Sequence, residues 1–154
     1  MAAALRFIAL AASVVRLAAA PAPGPCDLLG AAGFSCVAAH STTRALYAAY
    51  AGALYNVTRA SDNATFSVPV LAPGGFADKA AHDAFCPALN CVISAVLDQS
   101  PMGNHLGQRH MLVNASQHPI VVGDGVHVYG MEFATKGYGC APRCARPLRP
   151  QPRT

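Results

Sequence analysis

The shortness of the apolar runs constrains the fold of this chain more than any other feature. "CVISAVLD" (91–98), "MLVN" (111–114), "PIVV" (119–122) and "VHVYGMEF" (126–133) are each rich in β-branched or aromatic residues. Each run is bounded by Gly, Pro or polar turn residues, the signature of strands rather than helices. "ALYNVTRAS" (53–61) looks extended, and "ATFSVPVLA" (64–72) alternates as a half-buried strand does. Pro69 confines the second of these to a sheet edge or a bulge, because it cannot donate to a ladder. "PGG" (73–75) reads as a turn and "GDGVHVYG" (123–130) as a hairpin turn. Two segments read as helices. "ADKAAHDAFC" (77–86) has Asp78 as its cap. In "AAHSTTRALYAAYAGALY" (38–55), Leu46, Tyr47, Tyr50 and Leu54 fall at helical spacing behind Ser41 or Thr42, with Gly52 weakening the end. Many short strands with two small helices near the start predict an all-β sandwich.

The 154 residues give room for one domain with one core. Much of the apolar content is alanine, and six Phe and five Tyr must supply the aromatic packing in the absence of Trp. The net charge of +4 is a property of the ends. Arg6 and Arg16 lie near the start, and Arg143, Arg146, Arg149 and Arg153 near the end. Between them stand Arg44, Arg59, Lys79, Arg109 and Lys136 against seven acidic groups. A mildly acidic body without a basic stripe argues against a nucleic-acid partner.

Residues 1–22 read as a secretory signal: Arg6, the apolar "FIALAASVV" (7–15) and the small residues of "AAAPA" (18–22). The apolar run is shorter than the ~20 residues a bilayer span needs, so the expectation is a secreted, soluble, monomeric protein with no membrane partner. An even set of six cysteines agrees with an oxidising compartment. So do three acceptor sequons for glycosylation, at Asn56, Asn63 and Asn114. Nine residues separate Cys26 from Cys36, a loop that can close into a bridge; closing it would remove denatured-state entropy worth roughly 2.5 to 3 kcal/mol. A bridge between Cys86 and Cys91 would staple the end of the second helix to the strand that follows. "CAPRCARPLRPQPRT" (140–154) has no apolar periodicity and reads as a disordered Pro/Arg-rich tail.

Four collinear blocks carry a resemblance: "GPCDLLGAAGFSCVAAHSTTRALY", "YAGALYNVTRASDNAT", "VLAPGGFADKAAHDAFC" and "CVISAVLDQSPMGNHL". Together they resemble the N-terminal part of the fungal-type α-L-arabinofuranosidase B catalytic domain (glycoside hydrolase family fifty-four). The likeness covers residues 24 to 107 and reaches faintly to "YGMEFATKGYG". It implies disulfides Cys26–Cys36 and Cys86–Cys91 and a jelly-roll or concanavalin-like sandwich over residues 23–139, incomplete in this chain. A further disulfide is open to Cys140 and Cys144. The implied activity is hydrolysis, with retention, of terminal α-L-arabinofuranosyl groups of arabinose-containing plant cell-wall polysaccharide such as arabinan or arabinoxylan. No cofactor is implied. In the family the Glu nucleophile and the Asp acid/base lie downstream of the matched part, so no catalytic residue is identified here and this chain alone is expected to be inactive. The alternative is a non-catalytic secreted jelly-roll that binds glycan or serves a structural role.

The residues agree with that expectation. A retaining glycosidase needs two carboxyl groups roughly 5 to 5.5 Å apart, one held protonated. Asp27, Asp62, Asp78, Asp83 and Asp124 all stand beside turns, Gly or helix starts, where capping explains them. Glu132, the lone glutamate, reads as a solvent-facing strand residue. Asp98, Ser100 and Asn104 in "LDQSPMGNHL" (97–106) read as a structural turn, each able to bond nearby backbone. His105, His110, His118 and His127 lack the paired spacing of a zinc site, so no metal is expected and the histidines read as surface or turn residues.

Overall fold

The computed structural model describes residues 21–87, 90–107, 113–114 and 119–131. The first described element is a helix, α1 (Pro25–Ala31), in a stretch that reads from sequence only as Pro/Gly-rich. Pro25 occupies the first turn, where a missing N–H costs nothing, and the Asp27 carboxylate reaches back to the Gly24 N–H at 2.7 Å. The chain passes so close to the next segment here that a Cβ on residue 24 would lie 2.3 Å from the Leu46 carbonyl oxygen. Cys26 and Cys36 are joined in a disulfide that closes this loop.

The helix expected over residues 41 to 54 does not form. Residues 41–52 run as turns with one bridge, Arg44 to Phe76. The backbone donors there bond across the molecule instead of along a helix. The N–H of Ala45 donates to the Gly75 carbonyl, Leu46 to Gln99 Oε1, and Ala48 to Asp27 Oδ2. Locally, Ser41 Oγ accepts from the Thr43 and Arg44 N–H groups, a side-chain turn that competes with a helical start.

Strands β1 (Ala53–Arg59), β2 (Thr65–Pro69), β3 (Cys91–Val96), β4 (Leu106–Gly107) and β5 (Val113–Asn114) build one antiparallel sheet. Its order is β2-β1-β3-β4, and β5 pairs with β3 as well. Pro69 closes β2 at the sheet edge, next to a register shift between Ala53 and Tyr55. Strands β6 (Pro119–Val122) and β7 (Val126–Tyr129) form a separate antiparallel hairpin through a short 3-10 turn at Gly123–Gly125. Helix α2 (Lys79–Phe85) starts at Asp78, whose carboxylate caps the Ala81 N–H at 2.9 Å. The architecture is mostly strands in antiparallel sheets with two short helices.

One face of the large sheet forms the core. Tyr55, Val57, Val68, Cys91 and Ile93 are buried there together with Ala77 and Val128. Phe85 of α2 stacks on Phe66 of β2 at 5.2 Å between ring centroids. The Cys86–Cys91 disulfide ties the end of α2 to the first residue of β3. On the other face of β1 and β2, Asn56, Thr58, Thr65 and Ser67 form a polar array, with Ser67 Oγ donating to Asn56 Oδ1 at 2.8 Å. Among the described residues no helix is long and apolar enough to cross a membrane.

Candidate functional site

Two buried polar centres stand out against this core. The first is built by the end of β3. Asp98, Gln99 and Ser100 are each about 6% exposed. Asp98 Oδ1 accepts from the N–H groups of Ala39 (2.8 Å) and Ser100 (2.9 Å). Its Oδ2 accepts from Ser100 Oγ (2.7 Å) and the Asn104 N–H (2.8 Å). Gln99 reaches the other way, accepting from the Leu46 N–H at 2.6 Å and donating to the Arg44 carbonyl. Asn104 Nδ2 donates to the Val37 carbonyl at 2.8 Å. His105 Nδ1 accepts from the Asp98 N–H, and His40 Nε2 donates to the Asn104 carbonyl. These bonds join segments some sixty residues apart in sequence.

Burial acts to raise the Asp98 carboxyl, but the bonds from Ser100, Ala39 and Asn104 outweigh it and hold the group below the usual carboxylate range. The four donors around Asp98 all favour its ionised form.

The second centre joins α2 to both sheets. His82 is fully buried, and its Nδ1 lies 2.9 Å from the Tyr55 hydroxyl of β1. Its ring packs against Tyr129 of β7 at 4.5 Å between centroids. Nε2 has no hydrogen-bond partner among the described residues. Burial lowers the His82 pKa to about 4, so the imidazole is neutral at ordinary pH. Burial likewise pushes the Tyr55 hydroxyl far above its usual range. At the rim, Asp83 accepts from the Tyr129 hydroxyl at 2.7 Å and pairs with Lys79, whose ammonium also lies over the Tyr129 ring. Burial raises the Asp83 carboxyl, and the Lys79 and Tyr129 hydrogen bonds bring it below its ordinary value.

The remaining predicted residues are dispersed. Asp27 and Asp78 serve α1 and α2 as described. Asp62 pairs with Arg59 through two bonds and accepts from the Ala64 N–H. His127 is exposed on β7, and His105 lies in the Asp98 turn. Asn56 sits within β1, and Asn63 is exposed in the β1–β2 turn. Glu132, His110, His118, Cys140 and Cys144 lie outside the described residues, as do the side chains of Asn114 and Asp124. Among the described residues no group of three or more His, Cys, Asp or Glu could hold a metal ion.

His82 corrects the reading of the histidines as surface or turn residues, since it is a core residue. The signal was available: His82, Phe85 and Cys86 fall at i, i+3 and i+4, one face of a helix. Local sequence does not single out Gln99 either, because its partners Leu46 and Arg44 are distant in sequence.

A model of the alpha-L-arabinofuranosidase B catalytic family matches residues 25–138. The alpha-L-arabinofuranosidase B of Aspergillus oryzae is 52% identical over 103 residues, which are 67% of this chain and 20% of that protein. The probable alpha-L-arabinofuranosidase B of Aspergillus flavus has the same identity and coverage. Two solved structures are similar with a TM-score of 0.67 at 41% identity, over 70% of this chain and 25% of theirs. One is an arabinofuranosidase complexed with arabinofuranosyl-alpha-1,2-xylobiose, the other a family fifty-four α-L-arabinofuranosidase soaked with a cyclic sulfate inhibitor. The chain thus spans about a fifth of the length of the curated relatives it matches. The match spans both helices and every described strand, and the chain belongs to the alpha-L-arabinofuranosidase B catalytic-domain family.

Proposed function

We propose that this chain supplies the opening strands and helices of a secreted glycoside hydrolase domain that removes terminal α-L-arabinofuranosyl groups from plant cell-wall polysaccharide. The family match over residues 25–138 carries this reading. The relative crystallised with an arabinofuranosyl-xylobiose supports an arabinose-bearing xylan as one substrate class. In this reading residues 1–22 direct export, the protein acts as a monomer, and it needs no cofactor.

The part played by these residues is positional. The Asp98–Gln99 hub fixes the end of β3 against the loops at residues 37–46. The His82 centre fixes α2 against β1 and β7. Each described carboxylate is engaged in capping, an ion pair or the hub, whereas a retaining glycosidase needs two carboxyl groups facing each other across the scissile bond. The expected consequence is no turnover by the 154 residues alone.

The test uses release of 4-nitrophenol from 4-nitrophenyl α-L-arabinofuranoside. The chain by itself should be silent. A chimaera in which residues 25–107 replace the corresponding part of the Aspergillus oryzae relative should be active to within about tenfold of that relative, a loss of about 1.4 kcal/mol in barrier height. A folded but dead chimaera would overturn the scaffold reading, and turnover by the chain alone would overturn the expectation of silence.

A further inference from the structure

Two of the three acceptor sequons fall within one hairpin, and the fold treats them differently. Asn56-Val57-Thr58 lies inside β1, between β2 and β3. Asn63-Ala64-Thr65 begins in the turn that joins β1 to β2. We propose that Asn63 is a glycan-bearing asparagine and that Asn56 is left unmodified. This inference rests on the reading that the chain is exported.

Asn56 is flanked on both sides, by Ser67 across one ladder and Ala95 across the other. Its side-chain oxygen already accepts from Ser67 Oγ at 2.8 Å, and its backbone carbonyl takes a longer contact from Ser94 Oγ. Transfer to a sequon draws the asparagine amide and the hydroxyl two residues on towards each other. Within a strand that pair is held about 6.6 Å apart along the chain axis, and bringing Asn56 and Thr58 together would unpair β1.

Asn63 is exposed and has a φ of 56°, a left-handed conformation in which Asn is among the few residues tolerated. The chain is already bent there, with the Asn63 N–H donating to the Arg59 carbonyl and the Arg59 N–H to the Ala64 carbonyl. Thr65 follows at the exposed start of β2. Hairpins close in about 1–10 μs, whereas synthesis proceeds at ~5–20 residues per second. When β3 arrives and pairs, Asn56 becomes enclosed on both sides, and the turn at Asn63 stays open.

The chemistry balances with an oligosaccharide linked to a lipid diphosphate as donor. A bond forms between Asn63 Nδ2 and the anomeric carbon. The anomeric C–O bond breaks with its electron pair leaving on the lipid diphosphate, and the proton lost from Nδ2 passes to solvent.

The test is expression of the full chain in a yeast secretory host, with and without an additional export leader fused ahead of Met1. Deglycosylation in heavy-oxygen water then marks each formerly occupied asparagine, and peptides are read one by one. The expected result is a mark at Asn63 in most exported molecules and none at Asn56. Asn63→Asp tolerates the left-handed backbone and should lose one glycan from the intact mass. Thr65→Ala should lose it too, and Thr65→Ser should retain it. An unmarked Asn63 in exported chain, or a marked Asn56, overturns the assignment. If only the chain with the added leader is exported and it is marked at Asn63, the assignment stands and the export role of residues 1–22 falls.

Discussion

Asp98 concentrates at one residue the bonds that hold two distant loops together. Its carboxylate takes four donors, two of them backbone N–H groups on residues that are themselves buried. Leaving buried donors without a partner costs ~1–3 kcal/mol each. Asp98→Ala is therefore expected to destabilise by about 3–5 kcal/mol, read as a fall in the denaturant midpoint. Asp98→Asn keeps one acceptor and should lose about half as much. Equal losses for the two variants would show that the acceptors on one side of the group carry nothing. His82 makes the opposite use of burial. Its folded pKa of about 4 lies below the ordinary 6.5, so the unfolded chain binds the proton more readily. Stability contributed by neutral His82 is thus complete above about 6.5 and is lost as pH falls towards about 4, to a total of about 3 kcal/mol. His82→Asn, which can still face the Tyr55 hydroxyl, should flatten the stability profile across that window. An unchanged slope would place the titrating group elsewhere.

At the scale of elements, the two disulfides make separable contributions. Treating each as a closed loop in the denatured chain, Cys26–Cys36 is worth about 3 kcal/mol and Cys86–Cys91 about 2 kcal/mol. The paired variants Cys26→Ala/Cys36→Ala and Cys86→Ala/Cys91→Ala should lower unfolding free energy in that order, measured by denaturant titration. The reverse order would mean that the short bridge between α2 and β3 also organises the native state. What was legible in these elements depended on how local their causes are. The β1–β2 pair, the edge position of Pro69 and the Asp78 cap of α2 follow from neighbouring residues, and the sequence displays them. Helix α1 was legible in principle, with Pro25 at its first position and Asp27 in its first turn, but the surrounding Pro and Gly masked it. The segment from Ser41 to Leu54 misled because its apolar spacing is helical, while its donors are claimed by Asp27, Gly75 and Gln99. No window of local sequence contains those partners. The hub at Asp98 divides the same way. Its bonds to Ser100 and Asn104 are short-range and suggested by residue type, but its bond to Ala39 spans fifty-nine positions.

At the scale of the molecule, Val128 and Tyr129 are the most deeply buried residues by which the hairpin β6–β7 meets the large sheet, with Val122 and Val126 partly buried against the same core. Val128 is fully buried in the shared core and Tyr129 nearly so, whereas Ile120 and Val121 on the partner strand face outward. Tyr129 packs on His82, donates to Asp83 and lies beneath Lys79, so its ring is the hinge between hairpin and α2. A two-stranded hairpin is marginal without such packing. Tyr129→Ala removes the anchor and should cost about 3–5 kcal/mol by the usual scale of buried aromatic truncation. The loss should be felt unevenly. Hydrogen exchange at the β6–β7 amides is expected to accelerate by two orders of magnitude or more, while amides of β1 and β3, locked by ladders on both sides and by Cys86–Cys91, change much less. Tyr129→Phe keeps the ring and loses only the bond to Asp83, so it should move the same amides by about tenfold, near 1.4 kcal/mol. If both variants speed exchange evenly across the two sheets, hairpin and sheet unfold as one unit, and the core reaches across the α2 seam without a weak joint.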